Sequence, residues 1–476
     1  MSNLDLARLQ FATTSIYHFL FVPVTIGLAF LVAVLQTMWN RSERPELKRL
    51  TKFFGTLLLI NVAVGVVSGL VQEFEFGMNW SSYSRYVGAV FGGPLAMEGL
   101  AAFFLESTFL GIWIFGWDRL SKRLHLACIW LVAGATMLSA AFIMAANSWM
   151  QHPVGYDINP QTHVAQLTDI WAVFTNPVFL WGYLHVVLAS LVTGALIMLG
   201  VSAWQLRKRK DTALFTLSAA VALVVLVPVI TLNLFVGSEL GVQEGTYQPT
   251  KIAAAEALWN TCDSHCPFSL FQVGGGNNDH NPTQILEIPG LLSVLATNHL
   301  DGTVQGLNQL QAQDVATYGP GDYTPNVFIQ YWSMRVMAYL AGVVFLFALW
   351  GAWLAYRRKL DKAKAFLWIA PWAVVLPFLI NTAGWMLTEN GRQPWIVQGL
   401  MLTKDGVSPS VSALEIWISI TVFVLLYAGL GAICAYLMIR YARRPAAEEG
   451  EPGSGGDHGP TGSDEDERSD ELELVY

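Results

Sequence analysis

Charged residues are scarce in this 476-residue chain, and their scarcity excludes an ordinary soluble domain. Only 13% of the residues are Asp, Glu, Lys or Arg, whereas soluble globular domains carry about 25%. Cysteine is also rare, with four residues in the whole chain, so a disulfide-rich scaffold is excluded too. The chain also has no excess of basic over acidic residues, since its net charge is −8. The sequence therefore gives no indication of a nucleic-acid partner.

The negative charge comes from one end of the chain. Residues 445–476 hold 11 acidic residues against one Arg, so the remainder of the chain is close to neutral. The same stretch is rich in Gly, Ser, Asp and Glu and has almost nothing to bury. This composition predicts a disordered acidic tail over residues 441–476.

The chain contains many long runs of apolar residues. Hydrophobic residues make up 54% of the sequence, and the mean hydropathy is +0.44. A run of about 20 apolar residues spans a bilayer as a helix, which predicts an all-α polytopic membrane protein. The first run lacks a small-residue cleavage site and is too long for a signal peptide, so we expect it to be retained. The nine predicted helices cover residues 13–38, 53–73, 93–117, 124–148, 178–203, 214–236, 333–355, 366–388 and 412–440.

Basic residues predict the orientation of these helices, because Lys and Arg collect on the cytoplasmic side. Clusters of them follow the first, third, fifth, seventh and ninth predicted helices, and the long link at 237–330 has only Lys251. The N-terminus is therefore predicted to lie outside and the C-terminus in the cytoplasm. The chain divides accordingly into six helices within 1–236, an external loop at 237–330, three helices within 331–440 and a cytoplasmic tail at 441–476.

A few ionisable side chains lie inside or at the ends of the apolar runs, where they are costly and usually functional. Given the predicted orientation, nearly all of them fall in the outer half of the membrane. Glu106, eight residues and about 12 Å beyond Glu98 along a helix, reaches toward the middle. The set comprises His18, Glu98, Glu106, His185, Arg335 and Glu389.

Two residue types in this set point to metal chemistry. His is the usual axial ligand of haem iron, and Met is a frequent partner. The seventh predicted helix offers Met334 and Met337 at a depth similar to that of His185. A single Met in an apolar helix is ordinarily packing, and a single buried His can equally be a proton relay. Spacing alone therefore does not identify haem.

Several sequence blocks resemble subunit I of the cytochrome bd oxidases. They occur in that family's order, and several are long and unusual. The blocks are EFEFGMNW (73–80), GGPLAMEG (92–99), FFLESTF (103–109), ANSWMQHP (146–153), WSMRVM (332–337) and GRQPW (391–395).

The resemblance implies three haem groups in a quinol:oxygen oxidoreductase. His185 and Met337 match the axial pair of a low-spin haem b, and Arg335 would offset haem propionate charge. His18 and Glu389 match the axial ligands of the high-spin haem b and the haem d. Which of these two residues holds haem d stays open.

Further residues receive roles from the same resemblance. Glu98 matches an acid that lies beside the oxygen site, where it would also serve as a further metal ligand. Glu106, Ser107 and Ser139 match part of a route for protons from the cytoplasm. The shell around the high-spin pair is implied to contain Asn147, Trp385, Arg392 and Trp395.

The long external link matches the family's quinol-binding loop in its short version. Lys251 and Glu256 coincide with the motif residues for quinol, and quinol oxidation needs a group that takes up the phenolic protons. Ordinary solvated loop charge is the alternative reading of both residues. The resemblance also implies menaquinol or ubiquinol as donor, O2 as acceptor, a second large subunit, and small single-helix subunits in the plasma membrane of a prokaryote.

Cys262 and Cys266 lie four residues apart on the predicted oxidising side, where a disulfide is favoured. A zinc site with His265 is the alternative, but two Cys and one His are too few for a closed structural site. The other two cysteines, Cys128 and Cys434, fall in predicted helices as packing residues.

Two other functions compete with this interpretation. A haem–copper oxidase needs three His at copper besides the haem ligands, and only His18 and His185 lie at useful depth. A haem-free proton-coupled transporter would use Glu98, Glu106 and Glu389, although no inverted repeat typical of transporters is present.

Overall fold

The computed structural model describes residues 2–280 and 282–446. Within these ranges nine helices are long and apolar enough to cross a membrane, which confirms the predicted all-α polytopic fold. The predicted acidic tail lies outside the described residues from 447 onward. In chain order, α1 to α9 are Asn3–Ser42, Pro45–Met78, Ser81–Phe115, Lys122–Gln151, Pro177–Arg207, Thr212–Tyr247, Val327–Tyr356, Lys364–Gly391 and Ala413–Arg443.

Most of these helices extend past the predicted apolar runs, because their polar ends continue beyond the hydrophobic stretch. The first helix begins at Asn3, where Ser2 and Asp5 form a reciprocal capping box. The ninth begins the same way, with Ser412 and Glu415. The sixth continues to Tyr247, past the predicted end at 236, and carries Glu244 out of the predicted loop.

The helix α5 lies at the centre of the bundle. Its most apolar stretch is 78% buried within the protein, compared with 11% for α9 at the periphery. It meets α1 at Gly27 and Gly194, where a Cβ atom on Gly27 would collide with the carbonyl oxygen of Ser190. Small residues allow this close backbone approach, which is how membrane helices gain packing contacts.

Two of the spanning helices are irregular. Between Glu98 and Phe103, α3 takes the wider winding of a π-helix, which often occurs at functional sites. The eighth helix is broken between Ala373 and Leu376. Pro377 follows the break, and a proline lacks the N–H that would continue the helix.

The segment between α6 and α7 folds over one end of the bundle. It contains three short helices and an antiparallel hairpin in which Phe268 pairs with Ile288. These strands are not predicted from the sequence, because runs of only six residues show little alternation of polar and apolar side chains. The elements are Pro249–Ala255, Phe268–Val273, Thr283–Ile288, Leu291–Thr297 and Leu307–Tyr318.

Cys262 and Cys266 form a disulfide in this segment, as predicted, with a Cα–Cα distance of 5.7 Å. The bond uses both thiols and leaves none for a zinc site with His265. Cys262 also pairs through its backbone with Val304, and the backbone N–H of Cys266 donates to Ser293 at 2.8 Å. The disulfide therefore closes a short turn before the hairpin, and the hydrogen bonds of its two cysteines attach this turn to the segment that follows the hairpin.

Replacing Cys262 and Cys266 together by serine should loosen this segment without unfolding the helices. The closed loop is short, so the lost stabilisation is about 2 kcal/mol. We expect faster hydrogen exchange around 262–304, weaker quinol affinity and unchanged exchange in the spanning helices. Cys434→Ala is the matched control. Free thiols at both positions in protein from its native envelope, found by mapping non-reduced peptides, would contradict the prediction.

Candidate functional site

The carboxylate of Glu389 lies near the end of α8 and is held from two sides. The amide of Asn147 on α4 donates to its Oε1 atom at 2.9 Å. Arg392, one turn further along the chain, pairs with the other oxygen and donates to the carbonyl of Ile396 at 2.7 Å. Asn147 and Arg392 are both predicted to surround the high-spin haems, and both bind the carboxylate of Glu389.

Lys251 is completely buried, with its ammonium group between two acceptors. It donates to Gln151 Oε1 at 2.7 Å and to Glu244 Oε1 at 3.1 Å. Burial lowers the pKa of Lys251, and the neighbouring Glu244 opposes this effect. This environment differs from solvated loop charge, the alternative reading of Lys251.

Glu256 forms a buried ion pair with Arg335 of α7. The guanidinium NH2 group lies 2.6 Å from Glu256 Oε2 and donates to the carbonyl of Ser269 at 2.8 Å. The ring of Tyr331 lies 3.6 Å from the guanidinium carbon. Burial raises the pKa of Glu256, and Arg335 offsets part of that rise. The predicted role of Arg335 at a haem propionate stays a prediction, and this structure places the guanidinium against the loop between α6 and α7.

Lys251 and Glu256, predicted as a quinol pair, have separate partners. Lys251 is bonded to α4 and α6, and Glu256 is bonded to α7. Both side chains nevertheless belong to one short stretch at the start of the loop between α6 and α7. This stretch is therefore joined to three spanning helices by charged contacts, which are strong in a buried environment.

His18 on α1 lies against α2. Its Nδ1 atom is 3.0 Å from Ser68 Oγ, and a Cβ atom on Gly69 would come within 3.0 Å of the ring. The next residue, Phe19, stacks on Trp385 of α8 with ring centroids 5.2 Å apart. Trp385 is one turn from Glu389, so α1 and α8 meet near both predicted high-spin ligands.

His185 and Met337 each face a glycine on a neighbouring helix. A Cβ atom on Gly237 would lie 3.0 Å from the His185 ring, and one on Gly384 would lie 3.0 Å from the Met337 sulfur. His185 Nδ1 is buried beside the backbone of Asn233 without a well-aligned hydrogen bond to a described residue. An imidazole nitrogen left in this way and the partly buried thioether of Met337 fit the axial ligands of haem iron.

The predicted proton-route residues are partly brought together. Ser139 on α4 donates to Glu98 Oε1 at 2.7 Å, at the start of the π-helical turn. Ser107 instead bonds to the carbonyl of Phe103 on its own helix, at 2.9 Å. Glu106 lies close enough to Glu98 for their charges to interact. Glu73 on α2 is a further carboxyl near Glu98 that the sequence analysis did not select.

Trp395 belongs to an aromatic cluster just after α8. Its ring stacks on Tyr323 at 5.5 Å and meets Tyr318 edge to face at 4.8 Å. Both tyrosines come from the segment between α6 and α7, so Trp395 joins that segment to the end of α8. Its predicted place around the high-spin haems stays a prediction.

Gln151 and Glu244 are the contacts that the sequence analysis missed. Gln151 lies within the block ANSWMQHP, but a search for ionisable residues passes over a neutral amide. Glu244 lies beyond the predicted end of α6 at 236 and therefore falls within the predicted loop at 237–330. Glu244 could have been placed on α6 by continuing the helix past the end of its apolar run.

The fold and the site together define a multi-pass α-helical membrane protein with metal-donor side chains and ion pairs buried in it. Comparison with known proteins identifies its family. The model for cytochrome bd terminal oxidase subunit I matches residues 6–446. The chain belongs to this family, whose members carry haem.

Named relatives agree with this assignment. The chain is 44% identical to cytochrome bd ubiquinol oxidase subunit 1 of Bacillus subtilis, over 94% of this chain and 95% of the relative. It is 35% identical to cytochrome bd-II ubiquinol oxidase subunit 1 of Escherichia coli, over 94% and 98%. A solved bd oxidase from Geobacillus thermodenitrificans superimposes with a TM-score of 0.84 at 29% identity, covering 93% of this chain and 98% of that one.

Proposed function

We propose that this subunit oxidises quinol at the outer membrane face and carries the haems at which oxygen is reduced to water. The observation that supports this most directly is the buried pair between Glu256 and Arg335. Arg335 is two residues from Met337 on the same helix. The pair therefore holds a predicted quinol residue against the helix that carries a predicted haem ligand, as transfer of electrons from quinol to haem requires.

His185 and Met337 would hold the low-spin haem b, and His18 and Glu389 would hold the high-spin haem b and haem d. When bound, these groups accept electrons from quinol and pass them to oxygen. Glu98 would lie beside the oxygen site as an acid or additional ligand. Asn147 and Arg392 would keep the Glu389 carboxylate oriented, since both donate hydrogen bonds to it.

At the quinol site, Glu256 would take up a phenolic proton, and Lys251 would donate a hydrogen bond to a quinol oxygen. Both groups are satisfied by protein partners in this structure. Quinol binding therefore has to exchange at least one of these contacts for a quinol hydroxyl. The two relatives described above are named for ubiquinol, whereas another relative from B. subtilis, 30% identical, is named as a putative menaquinol oxidase subunit, so both donors have to be tested.

Protons for water formation would come from the cytoplasm through Glu106, Ser107, Glu98 and Ser139. The bond from Ser139 to Glu98 supports the outer end of this route. Moving one charge across the membrane potential involves about 2.3 kcal/mol per 100 mV. Proton uptake from inside and release outside would therefore conserve energy without a separate pump.

In the cell the subunit would work in the plasma membrane of a prokaryote, together with a second large subunit and small single-helix subunits. Its half-buried carboxyl Glu98 on α3 suits such an assembly, because a partner surface would complete its separation from lipid. Family membership removes the reason for the haem-free transporter alternative.

A visible absorption spectrum of the purified oxidase complex tests this proposal. We expect reduced-minus-oxidised bands for a low-spin haem b, a high-spin haem b and a haem d, together with oxygen consumption driven by quinol. Menaquinol and ubiquinol analogues assayed in parallel would identify the donor. A complex with no haem bands, or with haem but no oxygen consumption driven by either quinol, would contradict the proposal.

A further inference from the structure

Four side chains form an unbroken row of hydrogen bonds from the loop between α6 and α7 to α8, and of these Lys251 and Gln151 are buried while Asn147 and Glu389 are partly exposed. Lys251 Nζ donates to Gln151 Oε1 at 2.7 Å, and Gln151 Nε2 donates to Asn147 Oδ1 at 2.8 Å. Asn147 Nδ2 then donates to Glu389 Oε1 at 2.9 Å. Asn147 and Gln151 are four residues apart on α4, so they lie on one face of that helix.

The row has only one possible direction. A lysine ammonium group donates hydrogen bonds and cannot accept them, so Gln151 must turn its oxygen toward Lys251. Its NH2 group then points to the oxygen of Asn147, which leaves the NH2 group of Asn147 for the Glu389 carboxylate. The positive charge at one end therefore orders both amides so that a donor reaches the negative charge at the other end.

We propose that Gln151 is a positioning residue that couples the state of Lys251 to the orientation of Glu389. This inference rests on the proposed function, in which Lys251 binds quinol and Glu389 is a haem ligand. When a quinol oxygen takes a hydrogen bond from Lys251, Gln151 is no longer compelled to face that residue. Asn147 then loses its fixed orientation, and the hydrogen bond to Glu389 changes with it. Glu244 stays beside Lys251 and keeps its charge compensated.

Another buried glutamine provides a comparison, because all its described hydrogen bonds go to the backbone and are structural. Gln205, at the other end of the bundle, donates to the backbone carbonyls of Ala442 and Arg444 and thereby joins two helix ends. Gln151 has no such backbone contact among the described hydrogen bonds and uses both ends of its amide on side chains. Gln151 is also only 3% exposed, so water has little access to its amide. Gln151 is thus suited to transmit a change of partner from one side chain to the next.

The test combines two substitutions in the purified oxidase complex. Lys251→Met removes the ammonium group while keeping the side-chain volume, and Gln151→Met interrupts the row in the same way. We expect Lys251→Met to shift the absorption bands and midpoint potential of the high-spin haems in the wild-type background. The shift should disappear when Gln151→Met is already present. Gln205→Met serves as the matched control and should leave the shift intact.

Gln151→Glu provides a second, shape-matched test should the methionine variant fail to assemble. A carboxylate at 151 still accepts from Lys251 but cannot donate to Asn147, so the high-spin bands should shift while the low-spin band stays in place. Gln151→Met should also raise the quinol KM about 5-fold, the lower range of coupling between sites.

Two results would overturn the coupling: no shift on Lys251→Met, or the same shift with and without Gln151. The proposed quinol site fails separately, if Lys251→Met leaves the quinol KM unchanged. The spectroscopic readout does not depend on turnover, so it still decides whether Lys251 and Glu389 are coupled.

Discussion

Replacing His185 by alanine, or Met337 by leucine, should remove the low-spin haem b while both high-spin haems stay bound. His185 lies on α5 and Met337 on α7, each against a glycine of a neighbouring helix. Met→Leu nearly conserves volume, so packing changes little, whereas leucine has no sulfur to offer iron. Oxygen consumption driven by quinol should fall to background, because electrons would lose their entry point. Reduced-minus-oxidised spectra of the purified complex measure which haem is lost.

Met334→Leu is the matched control for this experiment. It lies one turn before Met337 on the same helix and makes the same chemical change. We expect it to retain the low-spin band, which would separate the two methionines that the sequence left as candidates. Loss of the high-spin signals with an intact low-spin band in either ligand variant would contradict the assignment.

Glu256→Ala should abolish quinol oxidation and leave oxygen reduction intact with an artificial donor that reduces the haems directly. The substitution removes the proton acceptor and also leaves Arg335 buried without its carboxylate partner. Breaking a buried ion pair in this way costs about 3–5 kcal/mol, so the alanine variant alone would mix two effects. Glu256→Gln separates them, because its amide oxygen still accepts from Arg335.

With Glu256→Gln we expect quinol-driven turnover to fall about 100-fold or more, which is the usual contribution of general base catalysis. Glu287→Gln, the same change at an exposed position of the same loop, should have no effect. Equal losses with quinol and with the artificial donor would place the defect at the haems and contradict the role of Glu256.

The pH dependence of quinol oxidation gives an additional signature of Glu256. Burial raises its pKa, and Arg335 opposes the rise. A proton acceptor works as the carboxylate, so activity should increase as pH rises through this raised pKa and be lost below it. The acid limb of kcat/KM should therefore lie above the ordinary glutamate value of about 4.3. The residual activity of Glu256→Gln should lack that limb.

The sequence by itself determined the membrane class and the number of spanning helices in the described chain. Apolar runs long enough to cross a bilayer leave little choice of fold, because every backbone polar group there must be satisfied within a helix. The family blocks carried the identification and pointed to His18, His185, Met337 and Glu389. Helix ends were less predictable, since an apolar window measures only the hydrophobic part of a helix. Glu244 was missed for this reason.

Which polar groups meet was decided by tertiary structure alone. Arg335 pairs with Glu256 across 79 residues of chain, and Asn147 reaches Glu389 across 242. No local pattern encodes such distances, because they depend on how α4, α7 and α8 pack against each other and against the external loop. Gln151 shows this most clearly: as one neutral residue in a helix it has no recognisable signal. Its position between Lys251 and Asn147 arises only when the loop folds onto the bundle and burial makes each hydrogen bond necessary.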